Sequence, residues 1–155
     1  MKEIMLIMAG FLMSLAVFAQ KTDKTKVPDV VISAFEKQYP GIKAKWEKEG
    51  AGYEVSFKKD GSDMSVIITE GGTIVETESD IDVTALPAGV RSYIKAHYRA
   101  EKILEAAKII DQNGTLTYEA EIKGKDLLFD ARGKFLNEVN YGKENNEGKG
   151  DNDRK

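Results

Sequence analysis

The feature that most restricts this fold is a pattern written twice. Val27-Pro28-Asp29 opens a stretch in which Val31, Phe35 and Tyr39 recur at i, i+4 and i+8. Leu86-Pro87 opens a second stretch, with Val90, Ile94 and Tyr98 at the same spacing and an offset of 59 residues. That spacing places apolar side chains on one side of a helix. Proline suits the first helical turn, where its missing N–H would have no partner anyway. Pro40-Gly41 then stops the first helix.

After each helix the apolar period changes from 3.6 to 2. In IKAKWEK (42–48), Ile42, Ala44 and Trp46 alternate with polar residues. GYEVSF (52–57) alternates through Tyr53, Val55 and Phe57, and MSVIITE (64–70) through Met64, Val66 and Ile68. A fourth strand is expected from Thr73 to Glu78, after Gly71-Gly72. The second half repeats the order. TLTYEAEI (115–122) matches GYEVSF at an offset of 65, and Leu127, Phe129, Gly133 and Phe135 match Val66, Ile68, Gly72 and Ile74 at 61. KILEAAKII (102–110) is compatible with helix or strand; its slot after the helix assigns it as a strand. Unequal offsets mean insertions between strands, which hairpin loops absorb at small entropic cost. The expected fold class is α+β: a tandem repeat of a helix followed by a four-stranded antiparallel sheet, with units 27–78 and 86–139. Each helix is expected to cover one sheet face and leave the other solvated.

The ends bound the folded region. MKEIMLIMAGFLMSLAVFAQ (1–20) has a short charged start and an apolar run from Ile4 to Phe18. Val17 and Ala19 satisfy the small-residue rule, so a signal peptide cut between Ala19 and Gln20 is expected. The run is shorter than the ~20 residues of a comfortable membrane span. Residues 21–26 read as a short leader. The stretch 142–155 has no apolar residue, and 140–155 reads as a disordered tail. The expected location is the periplasm or outside the cell, with no stable membrane span after cleavage. The chain has no cysteine, so neither a disulfide nor a cysteine-linked lipid is available. A formal net charge of -3 without a dominant basic patch argues against nucleic acid as the main partner.

This organisation resembles the PepSY-like, beta-lactamase-inhibitor-like family of exported Bacteroidota proteins. The likeness rests on the helix starts Val27-Pro28 and Leu86-Pro87 and the helix-ending Tyr39 and Tyr98. It continues in Tyr53-Glu54-Val55, Tyr118-Glu119-Ala120 and the late hairpins GGTIVETE (71–78) and RGKFLNEV (132–139). It covers roughly residues 27–139. The resemblance implies a fold and a setting: inhibition of proteases, or regulation in the cell envelope. It carries no site residue with it.

A search for chemistry finds no active site. A hydrolase needs a nucleophile beside a base. The single histidine, His97, reads as structural or surface, and no nucleophile elbow, phosphate loop or zinc motif is present. ETESDIDV (76–83) is the densest acidic stretch, with Glu76, Glu78, Asp80 and Asp82, but it lacks the spacing of a calcium loop. Glu47, Glu54 and Glu119 could pair as carboxylates, yet alternation assigns Glu54 and Glu119 to a solvated face. Asp60-Gly61 and Asn113-Gly114 read as turns, and Trp46 and Tyr53 as core. The expectation is therefore no catalytic, cofactor or metal residue and no cofactor. The face carrying Glu54, Ser56, Lys58, Glu119, Glu121 and Lys123 is the expected binding surface. The expected function is a non-enzymatic exported binding module, an inhibitor or regulator of an envelope or secreted protein. A small ligand or a cation is the alternative.

Overall fold

The computed structural model describes residues 23–99 and 101–140. The predicted signal segment, its cleavage site and residues 141–155 of the expected tail lie outside the described residues, while Asn140, read as the start of that tail, ends a strand. Part of the stretch read as a leader, Lys24–Lys26, forms a 3-10 turn that Asp23 caps by accepting from the Thr25 N–H.

Helix α1 spans Asp29–Gln38 and helix α2 spans Ala88–His97. Pro28 and Pro87 take the N-cap positions. Asp29 in the first turn of α1, and Lys95 and His97 in the last turn of α2, complement the helix dipole. Eight strands complete the fold: β1 Ala44–Glu49, β2 Gly52–Lys59, β3 Ser62–Thr69, β4 Ile74–Asp80, β5 Glu105–Asp111, β6 Leu116–Ile122, β7 Lys125–Asp130 and β8 Phe135–Asn140. KILEAAKII therefore does contribute a strand, entered only at Glu105.

The strands do not form two four-stranded sheets. They pair antiparallel, in chain order, into one eight-stranded sheet. The joining seam is β4 against β5, with Glu76 opposite Asp111 and Asp80 opposite Ala107. Two separate sheets would have left two more unpaired strand edges, and the seam satisfies those backbone groups.

Two cores sit on one face of this sheet. Under α1, Val31 and Phe35 meet Trp46, Tyr53, Val55, Phe57, Val66 and Ile68. Phe35 lies 5.2–5.3 Å, centroid to centroid, from Tyr39, Trp46 and Phe57. Under α2, Val90 and Ile94 meet Ala106, Ala120, Ile122, Leu127 and Phe129. Full burial of one such side chain stabilises by ~1.5–3 kcal/mol. The fully buried Phe35, Ile68, Leu127 and Phe129 thus anchor both halves.

Each half also bends the same way at its last hairpin. One extra residue interrupts the ladder, Val75 between Ile67–Glu76 and Ile68–Ile74, and Leu136 between Leu128–Asn137 and Phe129–Phe135. The turns before these bulges pack on the helix starts. A Cβ on Gly72 would come within 2.9 Å of the Val30 carbonyl, and one on Gly133 within 3.1 Å of the Val90 nitrogen. Both glycines have φ near +80°.

Candidate functional site

The face opposite the helices is set by register. Glu54 and Ser56 on β2 share it with Ser65 and Ile67 on β3, and with Glu76, Glu78 and Asp80 on β4. It continues through Glu105, Ala107 and Ile109 on β5, Glu119 and Glu121 on β6, and Asp126 and Leu128 on β7. Like charges stand directly opposite one another in places. Glu47 faces Glu54, while Glu105, Glu121 and Asp126 form a row across three strands. Such pairs destabilise a sheet. The cations near these acids include Lys43, Lys45 and Lys58, which line one cavity with Glu78 and Asp80, and Lys58 also pairs with Asp63 at 2.7 Å.

The expectation of a solvated face is corrected in part: Lys58 is exposed and Ser56, Glu119 and Glu121 are half-buried, but four residues are buried. Glu54, Ser65 and Glu78 are each 6% exposed and Asp126 is 2% exposed. Two causes combine. These residues lie on interior strands of a continuous sheet, with neighbours on both sides. Aliphatic side chains also stand between the acids: Ile109 opposite Glu78, Leu128 opposite Glu119 and Val139 opposite Asp126. One oxygen of Glu78 (Oε2) and one of Asp126 (Oδ1) are buried with no hydrogen-bond partner.

The electrostatics follow. Burial first, and then the charge of Asp126, pushes Glu119 up to about 9. Burial, then Glu76, pushes Glu78 up to about 8. Burial likewise raises Glu54, Glu76 and Asp126 to about 7. Asp80 and Glu121 are raised too, again mainly by burial. A buried carboxyl without a cation beside it keeps its proton.

The remaining sequence candidates scatter. His97 is exposed, stacked on Tyr93 at 4.2 Å, and lies on the helix side of the sheet. Asp82 leaves the acidic face and caps the 3-10 turn Val83–Ala85 by accepting from the Thr84 N–H. Lys123 falls in the turn between β6 and β7, not on the strand where alternation put it. Trp46 and Tyr53 are buried in the α1 core. Asp60-Gly61 and Asn113-Gly114 occupy hairpin turns, Asp60 with φ 52°. Sequence reasoning missed Asp126, Glu105 and Ala107. Carrying the β-alternation through 105–111 and 125–130 would have found them.

Two other features bear on binding. A cavity of about 370 Å³ is lined by Lys45, Ser56, Lys58, Met64, Glu78 and Asp80, among others. On the helix side, Glu138 accepts from Lys125 Nζ at 2.8 Å and from the Tyr98 hydroxyl. Lys125 first, then Tyr98, hold Glu138 down at about 2, while burial and Glu138 push Tyr98 up to about 12. That group is satisfied and ties β7 and β8 to the end of α2. Among the described residues no set of three or more acids, histidines or cysteines is arranged to hold a metal ion. No helix among them is long and apolar enough to cross a membrane.

Comparison with known proteins agrees with this architecture. No curated protein matches the sequence. Among solved structures, a protein described as a putative periplasmic protein from Bacteroides eggerthii DSM 20697 is 21% identical, with a TM-score of 0.67, covering 74% of this chain and 88% of its own. A DUF2874 family protein from Bacteroides uniformis ATCC 8492 is 19% identical with a TM-score of 0.66, covering 73% and 88%. A BLIP-like protein from Bacteroides fragilis NCTC 9343 is 20% identical with a TM-score of 0.60, covering 82% and 91%. At such identities the likeness is one of fold. The family profile described as "Putative beta-lactamase-inhibitor-like, PepSY-like" matches twice, over residues 17–76 and 73–137. With most of its length so matched, the chain belongs to that PepSY-like family.

Proposed function

We propose that this protein is an exported, non-enzymatic binding module that inhibits or regulates an envelope or secreted protein through the acidic face of its sheet. One observation carries the reading: that face holds crowded carboxyl groups, two of them buried with an unpartnered oxygen. Unsatisfied buried acids cost stability, and such cost concentrates where a protein binds. A basic surface on a partner would supply the missing charge. The signal segment and the absence of recognised catalytic motifs support an exported, non-catalytic role. The duplicated helix-and-four-strand order, read as a tandem repeat, gives the face its width.

The cavity beside Glu78 favours a small ligand or a cation as the second reading. Affinity capture separates the two. The chain beginning at Gln20 is offered to envelope and secreted fractions, beside the folded triple variant Glu78→Gln, Glu119→Gln, Asp126→Asn. A saturable protein partner held by the first and lost by the second is the expected result. A partner held equally by both overturns the assignment of the face. No saturable partner at all overturns the protein-binding reading and leaves the small ligand.

A further inference from the structure

Four residues stand in one row across the first four strands, on the face away from the helices. Lys45 on β1 is opposite Ser56 on β2, Ser56 is opposite Ser65 on β3, and Ser65 is opposite Glu78 on β4. The row reads ammonium, hydroxyl, hydroxyl, carboxyl. Its middle side chains are short and its outer ones long, so the serines form the floor of a trough. The cavity of about 370 Å³ lies here, and all four residues line it. Lys43, two residues before Lys45, and Asp80, two residues after Glu78, extend its two walls. Lys58 and Asp63 also line it, and their ion pair at 2.7 Å neutralises both.

The walls keep opposite signs. Among the described residues, Lys43, Lys45, Glu78 and Asp80 form no ion pair. Glu78 is 6% exposed, and its Oε2 is buried without a hydrogen-bond partner. Resting on the small-ligand reading of this cavity, we infer that the trough binds a short peptide with free ends. Its carboxylate lies at Lys43 and Lys45, and its ammonium at Glu78 and Asp80.

The charges select the class. A lone anion meets the carboxyl wall and a lone cation meets the lysines, so half of the site opposes any ligand of one sign. Among the described residues no group of three or more acids is arranged to hold a metal ion there. A zwitterion matches both walls. Its ammonium favours the ionised form of Glu78, which burial, and then the charge of Glu76, now oppose.

The row also selects the length. Lys45 and Glu78 are three strand spacings apart, about 14 Å. Two or three extended residues span about 7–11 Å, and the side chains of Lys45 and Glu78 cover the rest. A single amino acid holds its two charges too close together to reach both walls. The floor suits peptide groups as well. Ser56 donates its hydroxyl proton to Glu54 at 3.0 Å, which leaves its oxygen to accept an amide N–H.

Calorimetric titration of the chain beginning at Gln20 with triglycine, at pH 7, tests this. Saturable binding is expected. N-acetylated triglycine lacks the ammonium and triglycine amide lacks the carboxylate; each should bind about tenfold more weakly, as should glycine. Lys45→Met should weaken triglycine about tenfold and leave the amide unchanged. Glu78→Gln should weaken triglycine and leave the acetylated form unchanged. Glu36→Gln on α1 alters a charge far from the trough and should change nothing. Ser56→Leu raises the floor and should block triglycine; if that variant fails to fold, the two end variants still decide. Triglycine bound no better than its blocked forms, or bound equally by wild type and Lys45→Met, overturns the inference. Ca²⁺ or phosphate bound in the trough in place of triglycine overturns the peptide and leaves the small-ligand reading standing. No binding of triglycine, Ca²⁺ or phosphate overturns both.

Discussion

The two faces of the one sheet solve opposite problems with the same backbone. On the helix side the alternating positions carry Val55, Val66, Ile68, Leu127 and Phe129, each no more than 1% exposed, beneath two helices. On the other side the intervening positions carry Glu54, Glu78, Glu119 and Asp126. On the first face Glu138 accepts hydrogen bonds from Lys125 and Tyr98. The second is unsatisfied, with raised carboxyls and orphaned oxygens. The difference places the packed cores on one side of the sheet and the unsatisfied carboxyl groups on the other.

The largest effect should come from the helix side. Phe129→Ala removes a fully buried ring from the α2 core and should cost about 3–5 kcal/mol in urea unfolding. A loss below ~1 kcal/mol would mean that the helix side is not the stabilising one.

An intermediate effect, of opposite sign, is expected on the acidic face. The folded-state pKa values of Glu54, Glu76, Glu78, Glu119 and Asp126 are raised above their unfolded values. A raised carboxyl stabilises fully below its unfolded pKa, and that stabilisation is lost as pH rises through the folded value. Thermal stability should therefore fall between pH 5 and pH 9. Glu119→Gln cannot ionise, so it should flatten this slope. At pH 8.5 it should raise Tm by about 4–8 °C, the shift that about 1 kcal/mol gives a small domain. A flat profile in the wild type would erase the contrast between the faces.

The smallest effect sharpens the comparison. Lys125→Met removes the ammonium from Glu138 on the helix side, where the pair is partly exposed. The expected cost is about 0.5–1 kcal/mol, read from urea midpoints at pH 7. It should leave the slope between pH 5 and 9 unchanged, because Glu138 titrates far below that window.

Much of the helix side was legible in the sequence. The stripes Val31–Phe35–Tyr39 and Val90–Ile94–Tyr98 and the period-2 strands name their own core, because alternation and helical spacing are local. KILEAAKII resisted, since two alanines and a lysine sit as well in a helix as in a strand. The state of the acidic face was not legible for a different reason. Alternation shows which way Glu54 or Glu119 points, but not how deeply it is buried. That depends on whether β4 and β5 join, and no local pattern around Asp80 or Glu105 announces the seam.

That seam also orders the way the chain comes together. Every other pair of neighbouring strands is linked by a tight connection, so most contacts are made between residues close in sequence. Such topologies need little loop closure before contacts form. Only β4 and β5 must wait for the intervening helix, from Asp80 across to Glu105. Each half has its own core under its own helix, so those contacts can form before the halves meet. The acidic face becomes continuous only when the two halves meet, so it is completed last.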